Sequence, residues 1–198
     1  GPLLQVLDDR VASVTCMSGP TWSREAPLRP DGQIALFRTA KGSLIKIMVT
    51  LNTRRPGAHN YRLFGTDGSA EWYSHEGFCR RFGRERSHDQ GWERIDIGTA
   101  ALESARVAGH GGTDIQTAYY FTKALLEGRR VPIDVFRMAD FTLPGILAAR
   151  SAELGGQPIV VPDLRRGPYT GTPFWDHVGL PETEPEGVDY VSTARVTH

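Results

Sequence analysis

Apolar and polar positions follow two different periods in this chain, and the change falls near its middle. From Arg10 to Met17 they alternate, with Val11, Ser13, Thr15 and Met17 on one side and Ala12, Val14 and Cys16 on the other. A period of two predicts a strand. Gln33–Thr39 and Leu44–Leu51 repeat the pattern on either side of Lys41-Gly42 and predict a hairpin. In its second arm Ile45, Ile47, Val49 and Leu51 share a side, while Leu44, Lys46, Met48 and Thr50 give the other a mixed character. His59–Phe64 and Ser69–Ser74 make a further pair about Gly65-Thr66-Asp67-Gly68, a strong turn signal. Trp92–Ile97 alternates again. The first half therefore predicts a predominantly antiparallel sheet.

Three stretches interrupt it. Ser18–Gly32 holds Pro20, Pro27, Pro30 and Asp31-Gly32 and reads as a loop. Arg54-Arg55-Pro56-Gly57 breaks the alternation, and Gly77–Gly91, crowded with Arg80, Arg81, Arg84, Glu85 and Arg86, reads as a solvated hairpin or loop.

After Ile115 the period lengthens. Apolar residues recur through Ala118, Tyr119, Thr122, Leu125 and Leu126, predicting a helix over Ile115–Glu127. Thr113 and Asp114 both carry side-chain oxygens able to cap its first turn, and Gly128 suits the left-handed residue at its end. Asp134 is a natural N-cap for a second helix reaching Leu154, which Pro144 should kink and Gly155-Gly156 should end. Ile159-Val160-Val161, between Pro158 and Pro162, reads as a short strand. At the other terminus Leu3, Leu4, Val6 and Leu7 read as the end of a helix opening abruptly after Gly1-Pro2, so the expectation is a fragment of a longer protein. The elements together predict an α+β fold: an open, predominantly antiparallel sheet with helices packed on one face.

At 198 residues the chain is long enough for one large domain, and 39% hydrophobic residues suffice for a core. Lys+Arg and Asp+Glu are both 23, so no charge excess points to nucleic acid or an anionic membrane. No apolar run approaches the roughly 18 residues of a membrane span, and no leader pattern is present; a cytoplasmic location is the expectation, any export signal lying upstream. Two cysteines, Cys16 and Cys79, form neither a disulfide framework nor a metal-ligand pattern. Beyond Asp163 the chain is rich in Pro, Gly and Thr, with Tyr169, Phe174 and Trp175 as isolated anchors. Such a tail is expected either to wrap over its own domain or to reach a partner chain, and otherwise to be poorly ordered.

The stretch with chemical promise is Ala108-Gly109-His110-Gly111-Gly112-Thr113-Asp114. Glycines after a histidine leave the backbone bare for close approach, and the dipole of the following helix disfavours imidazolium, leaving His110 able to accept a proton. The alternative is a histidine that merely hydrogen-bonds a loop. Arg54 and Arg55 are either a charged hairpin end or a pair of donors for a polyol or carboxylate. Trp72 and Tyr73 read as core or interface, and His59, His75, His88 and His177 have no partners at ligand spacing. The Gly109–Gly111 pair does not complete the dinucleotide fingerprint, because Asp114 stands three residues past Gly111. A P-loop lysine motif, a Gly-x-Ser-x-Gly elbow and a His-Glu-x-x-His pair are also missing from the sequence, and no metal site is expected.

Gly109-His110-Gly111-Gly112-Thr113-Asp114, the helix ending Leu125-Leu126-Glu127-Gly128-Arg129, and Val131-Pro132-Ile133-Asp134 resemble the C-terminal domain of the Gfo/Idh/MocA oxidoreductases. Three further segments agree in order. Asp31-Gly32 leads to the hairpin Ile34 to Thr50, Arg55-Pro56 to Tyr61 and Gly65-Thr66-Asp67-Gly68, and Gly155-Gly156-Gln157-Pro158 to Ile159-Val160-Val161-Pro162. The His-Gly-Gly and Arg-Pro segments are most similar to the branch containing NAD-dependent α-N-acetylgalactosaminidases. The resemblance covers residues 1–165 as a substrate and oligomerisation domain, leaving 166–198 as a Pro/Gly-rich tail and no N-terminal Rossmann domain in this chain.

What the resemblance implies is a two-domain parent enzyme in which the Rossmann half holds NAD or NADP and a Glu-Lys-Pro motif. The reaction implied is hydride transfer at a sugar or cyclitol hydroxyl, or, in the glycosidase branch, transient oxidation followed by elimination of the aglycone. His110 matches a position the family uses near the substrate, for proton transfer or binding; Arg55 and Asp114 are weaker matches as substrate-binding groups. The chain alone is expected to bind no cofactor and to be inactive, because hydride transfer needs the cofactor positioned against the substrate. A homodimer through the mixed sheet face around Leu44, Lys46 and Met48 is the expected assembly. The competing reading is a freestanding carbohydrate-binding or scaffold module that kept the sheet without the chemistry.

Overall fold

Alternation in the first half resolves into two four-stranded antiparallel sheets. The computed structural model describes residues 1–22, 30–51, 53–54, 56–74, 78–95 and 113–165, with the side chain of Thr113 outside the description. Two units divide the chain: Gly1–Thr53 with Ser104–His198, and Arg54–Glu103.

In the first unit a short helix, α1 (Pro2–Leu7), leads into strand β1 (Val11–Ser18), followed by the hairpin β2 (Gly32–Thr39) and β3 (Leu44–Thr50). Gly42, at φ +96°, supplies the positive backbone angle that the hairpin turn requires. Asp9 ties the α1–β1 corner to this turn: its carboxylate accepts the N–H of Arg10 at 2.8 Å and of Lys41 at 3.0 Å. Burial pushes its pKa up, but these N–H groups and the Thr39 hydroxyl outweigh burial and hold it below the usual value.

Strict alternation separates Val11 from Val14, yet both are buried with Cys16 in one core. The reason is a register slip: Val11 pairs with Thr39 and Ser13 with Arg38, so one extra residue bulges from β1. A bulge reverses the side on which the preceding side chain falls. Val11 thereby joins Val14, Cys16, Ala35, Phe37 and Ile45 on the inner face.

That face is closed by α3 (Val135–Glu153), with Ala148 in the core and Phe141, Leu143 and Leu147 packed against it, and by Leu4 of α1. Asp134 caps α3 as its sequence predicts, accepting the N–H of Arg137 at 2.8 Å. The helix continues as one element through Pro144, which is buried. It ends at Gly155 and Gly156, both at positive φ, and β8 (Ile159–Val160) then pairs with β1 to give the order β3-β2-β1-β8. Because β8 has two residues, it leaves part of β1 without a strand partner. Ser151, fully buried, fills the gap: its Oγ accepts the N–H of Cys16 at 2.9 Å and donates to the carbonyl of Gln157 at 2.6 Å. The Thr15 hydroxyl donates to the carbonyl of Gly156 beside it.

The opposite face of this sheet carries Thr15, Met17, Ile34, Leu36, Arg38, Leu44, Lys46 and Met48 as cross-strand neighbours, with Val160 beside Ser13. Met17, Leu44 and Val160 are exposed to 71, 76 and 76%. Mixed character on this face was legible in the sequence; the extent of its apolar exposure was not.

Helix α2 (Thr113–Leu126) starts two residues before the predicted Ile115, so Thr113 and Asp114 fall within its first turn. Gly128, at φ +63°, closes it as expected: its N–H donates to the carbonyl of Leu125 and that of Arg129 to Ala124. The residues whose spacing predicted the helix, Ala118, Tyr119, Thr122, Leu125 and Leu126, are exposed; Ala124 alone among its described residues is buried. Helical spacing identifies an apolar side without saying what covers it.

The second unit is the meander β4 (Asn60–Phe64), β5 (Gly68–Tyr73), β6 (Phe78–Gly83) and β7 (Glu93–Ile95), in that spatial order. The arginine-rich stretch therefore begins as an inner strand, paired on both sides, where sequence favoured a solvated hairpin or loop. Alternation explains it: Arg81 points to Glu93 at 2.9 Å on one side, while Arg80 meets Glu71 on the other. The α+β class and antiparallel pairing agree with expectation, as does a helical layer on one face of the first sheet.

Ser151→Ala should cost about 2 kcal/mol, since it strands a buried N–H and a carbonyl; urea unfolding with an unchanged slope would register it. Asp134→Ala should cost about 1 kcal/mol at neutral pH. Burial alone raises the Asp134 pKa, but the Arg137 N–H and the Arg130 guanidinium outweigh it and hold it below the usual value. A depressed folded-state pKa stabilises above the unfolded value and is lost as pH falls through the folded one. The gap between wild type and variant should therefore be full at neutral pH and close below about pH 4, as thermal melts across that range can show.

Candidate functional site

Of the three residues singled out from sequence, His110 and Arg55 lie outside the described residues, as do Gly109, Gly111 and Gly112. Asp114 is described: it is exposed in the first turn of α2, where the positive helix end favours a carboxylate. Arg54 is also exposed. His110 stands three residues upstream of Thr113 in the sequence.

Trp72 and Tyr73 are half-buried, as their reading as core or interface requires. Trp72 stacks on Tyr61 with ring centres 5.5 Å apart. Tyr73 belongs to a constellation that sequence reasoning missed. Glu71, buried in β5, accepts Arg80 Nε at 3.0 Å and Nη2 at 2.8 Å on the same Oε2 to which Tyr73 donates at 3.3 Å. The Arg80 guanidinium lies 5.1 Å from the Tyr73 ring centre and 5.4 Å from that of Trp92. The available signal was register, since Glu71 and Arg80 pair directly once the β5–β6 turn is placed. A carboxylate so committed to a neighbouring guanidinium ties β5 to β6.

A second missed cluster pins the residues after β8 onto α3. Arg165 contacts the buried Asp140 through both terminal nitrogens, at 3.2 and 2.8 Å, and Asp163 bridges Arg10 at 3.3 Å and Arg165 at 3.5 Å. Hydrogen bonding to Asp140 raises the Arg165 pKa above its usual value despite burial. Arg165 and Asp140, and Arg10 and Asp163, are far apart in sequence, so spacing gave no cue for either contact. Both cysteines are free and buried, and burial pushes their thiols up, away from reactive thiolate. Among the described residues no three His, Cys, Asp or Glu side chains gather as metal ligands, and no helix is long and apolar enough to cross a membrane.

Residues 29–171 match the family model described as Glycosyl hydrolase 109, C-terminal domain. A glycosyl hydrolase family 109 protein of Porphyromonas gingivalis is 27% identical over 216 residues, covering 90% of this chain and 45% of that protein. One from Streptomyces coelicolor is 26% identical over 165 residues, covering 76% and 34%. The chain thus spans less than half the length of these relatives. Among solved structures, levoglucosan dehydrogenase in complex with NADH and levoglucosan has a similar fold, with TM-score 0.59 and 22% identity over 77% of this chain and 45% of that one. So does an inositol dehydrogenase homolog from Azotobacter vinelandii, complexed with NADH and myo-inositol, with TM-score 0.51 and 15% identity over 79% and 45%. The fold is that of a Gfo/Idh/MocA C-terminal domain.

Proposed function

From the premise that this chain belongs to the family of glycosyl hydrolase 109 C-terminal domains, we propose that it forms the substrate-facing and dimerising part of an NAD(P)-dependent enzyme acting on a sugar, cyclitol or glycoside. The family match across 29–171 is the observation that carries this reading. Two proteins of the same fold, solved in complex with NADH and levoglucosan or NADH and myo-inositol, support the substrate class.

Residues 1–165 act as this domain and 166–198 as its tail. The nicotinamide nucleotide is held by the part of the relatives that this chain does not span, since no dinucleotide fingerprint occurs here. When bound, that group takes hydride from a substrate C–H. This chain's share is to bind and orient the polyol and to move a proton. His110, just ahead of α2, accepts the proton of the reacting hydroxyl as a neutral imidazole. Arg55 donates hydrogen bonds to the substrate, and Asp114 accepts them at the start of the helix. By this reading the chain alone does not turn over substrate.

The outer face of the first sheet pairs with a second copy. Met17, Ile34, Leu36, Met48 and Val160 leave a contiguous apolar surface that two like copies can bury together.

In a polypeptide carrying both halves, His110→Ala should lower kcat about 100-fold or more with little change in melting temperature. Unchanged turnover would return His110 to a loop hydrogen bond. The 198-residue chain should sediment as a dimer at micromolar concentration, and Leu36→Glu with Met48→Glu should leave it monomeric. A monomeric wild type would count against the pairing.

A further inference from the structure

The outer face that is proposed to dimerise has an unbalanced corner. Arg38 at the end of β2 and Lys46 on edge strand β3 lie on it, and no ion pair is made by either among the described residues. The strands contribute no carboxylate to this face: its other members are Ser13, Thr15, Met17, Ile34, Leu36, Leu44, Met48, Thr50 and Val160. Two like copies brought together here would gather cations of one sign in partly dehydrated surroundings, which is costly.

The chain itself carries the missing charge. Between Gly167 and Ala194 there are five acidic residues, Asp176, Glu182, Glu184, Glu186 and Asp189, and no lysine or arginine. Glu182, Glu184 and Glu186 alternate with Thr183 and Pro185. An extended chain puts such residues on one side at about 6.7 Å intervals. Leu44 pairs with Arg38, so Lys46 is the diagonal neighbour of Arg38, about 7–8 Å away. The two spacings match.

We propose that the acidic segment Glu182–Glu186 docks on the Arg38–Lys46 corner of its own chain's sheet. It neutralises the corner and leaves Met17, Ile34, Leu36, Met48 and Val160 to the second copy. Reach is sufficient. Arg165 is anchored on Asp140, and the seventeen residues from there to Glu182 span up to about 55 Å. The four-stranded sheet is only about 14 Å across. This inference rests on the face-pairing reading for its role, while the docking itself requires no second copy.

The sequence has three lysines, Lys41, Lys46 and Lys123, which makes a direct test possible. Zero-length carbodiimide coupling of an equal mixture of ¹⁵N-labelled and unlabelled chain, mapped by mass spectrometry, should join Lys46 to Glu182, Glu184 or Glu186 within single chains. That product should exceed those of Lys41 and Lys123 with the segment several-fold and fall as ionic strength approaches about 1 M. Glu182→Gln, Glu184→Gln and Glu186→Gln together should speed acetylation of Lys46 and leave that of Lys123 unchanged. Coupling only between labelled and unlabelled chains, coupling shared equally among the lysines, or an unaltered acetylation rate would each overturn the proposal. Sedimentation of the same sample separates the two readings. A monomer with the Lys46 product refutes pairing alone, and a dimer without it refutes docking alone.

Discussion

A sheet has two faces, and the described helices of the first unit close only one. Everything else about the unit follows from that limit. The bulge between Val11 and Ser13 brings Val11 over to the covered side. Ser151 stands in where β8 is too short, and α1 and α3 seal Val14, Ala35, Phe37 and Ile45 beneath them. On the uncovered side Met17, Ile34, Leu36, Met48 and Val160 meet solvent, at a free-energy cost that association can recover. Helix α2 repeats the theme, with Ile115, Tyr119, Tyr120, Phe121, Leu125 and Leu126 exposed around it. A domain built to be one wall of a larger assembly would look like this.

Local rules were legible in the sequence wherever the physics is local. Alternation located the β2–β3 and β4–β5 hairpins, Asp134 marked the start of α3, and Gly128 and Gly155-Gly156 marked helix ends through their left-handed angles. What failed to show was set by contacts across the chain. A one-residue bulge has no signature in the run Val11–Met17, so Val11 was placed on the wrong face. Charge in Phe78–Gly83 resembled a solvated loop until register set Arg80 against Glu71. The clamp of Arg165 on Asp140 joins residues no spacing rule connects. For the site, Asp114 is seen in the first turn of α2, while His110, read from glycines, a helix start and family resemblance together, lies with Arg55 outside the described residues.

The two arginine–carboxylate clusters tie elements of the scaffold together. Glu71 holds a cross-strand rung together within the second unit, and Asp140 fixes the point from which the C-terminal segment departs within the first. Paired charges of this kind lose stability when one member is removed, because the other is left partly buried and uncompensated. The chemistry proposed for this chain stays with the stretch Gly109–Asp114, where glycines, a histidine and a carboxylate follow one another in sequence.

The central claim is that this chain is one wall of a sugar cleft whose nucleotide-bearing wall belongs to the part of its relatives it does not span. Titration calorimetry of the 198-residue chain with NADH addresses it most directly. The account predicts no saturable heat at concentrations up to the millimolar range. Tight, stoichiometric binding of NADH to this polypeptide on its own would contradict it.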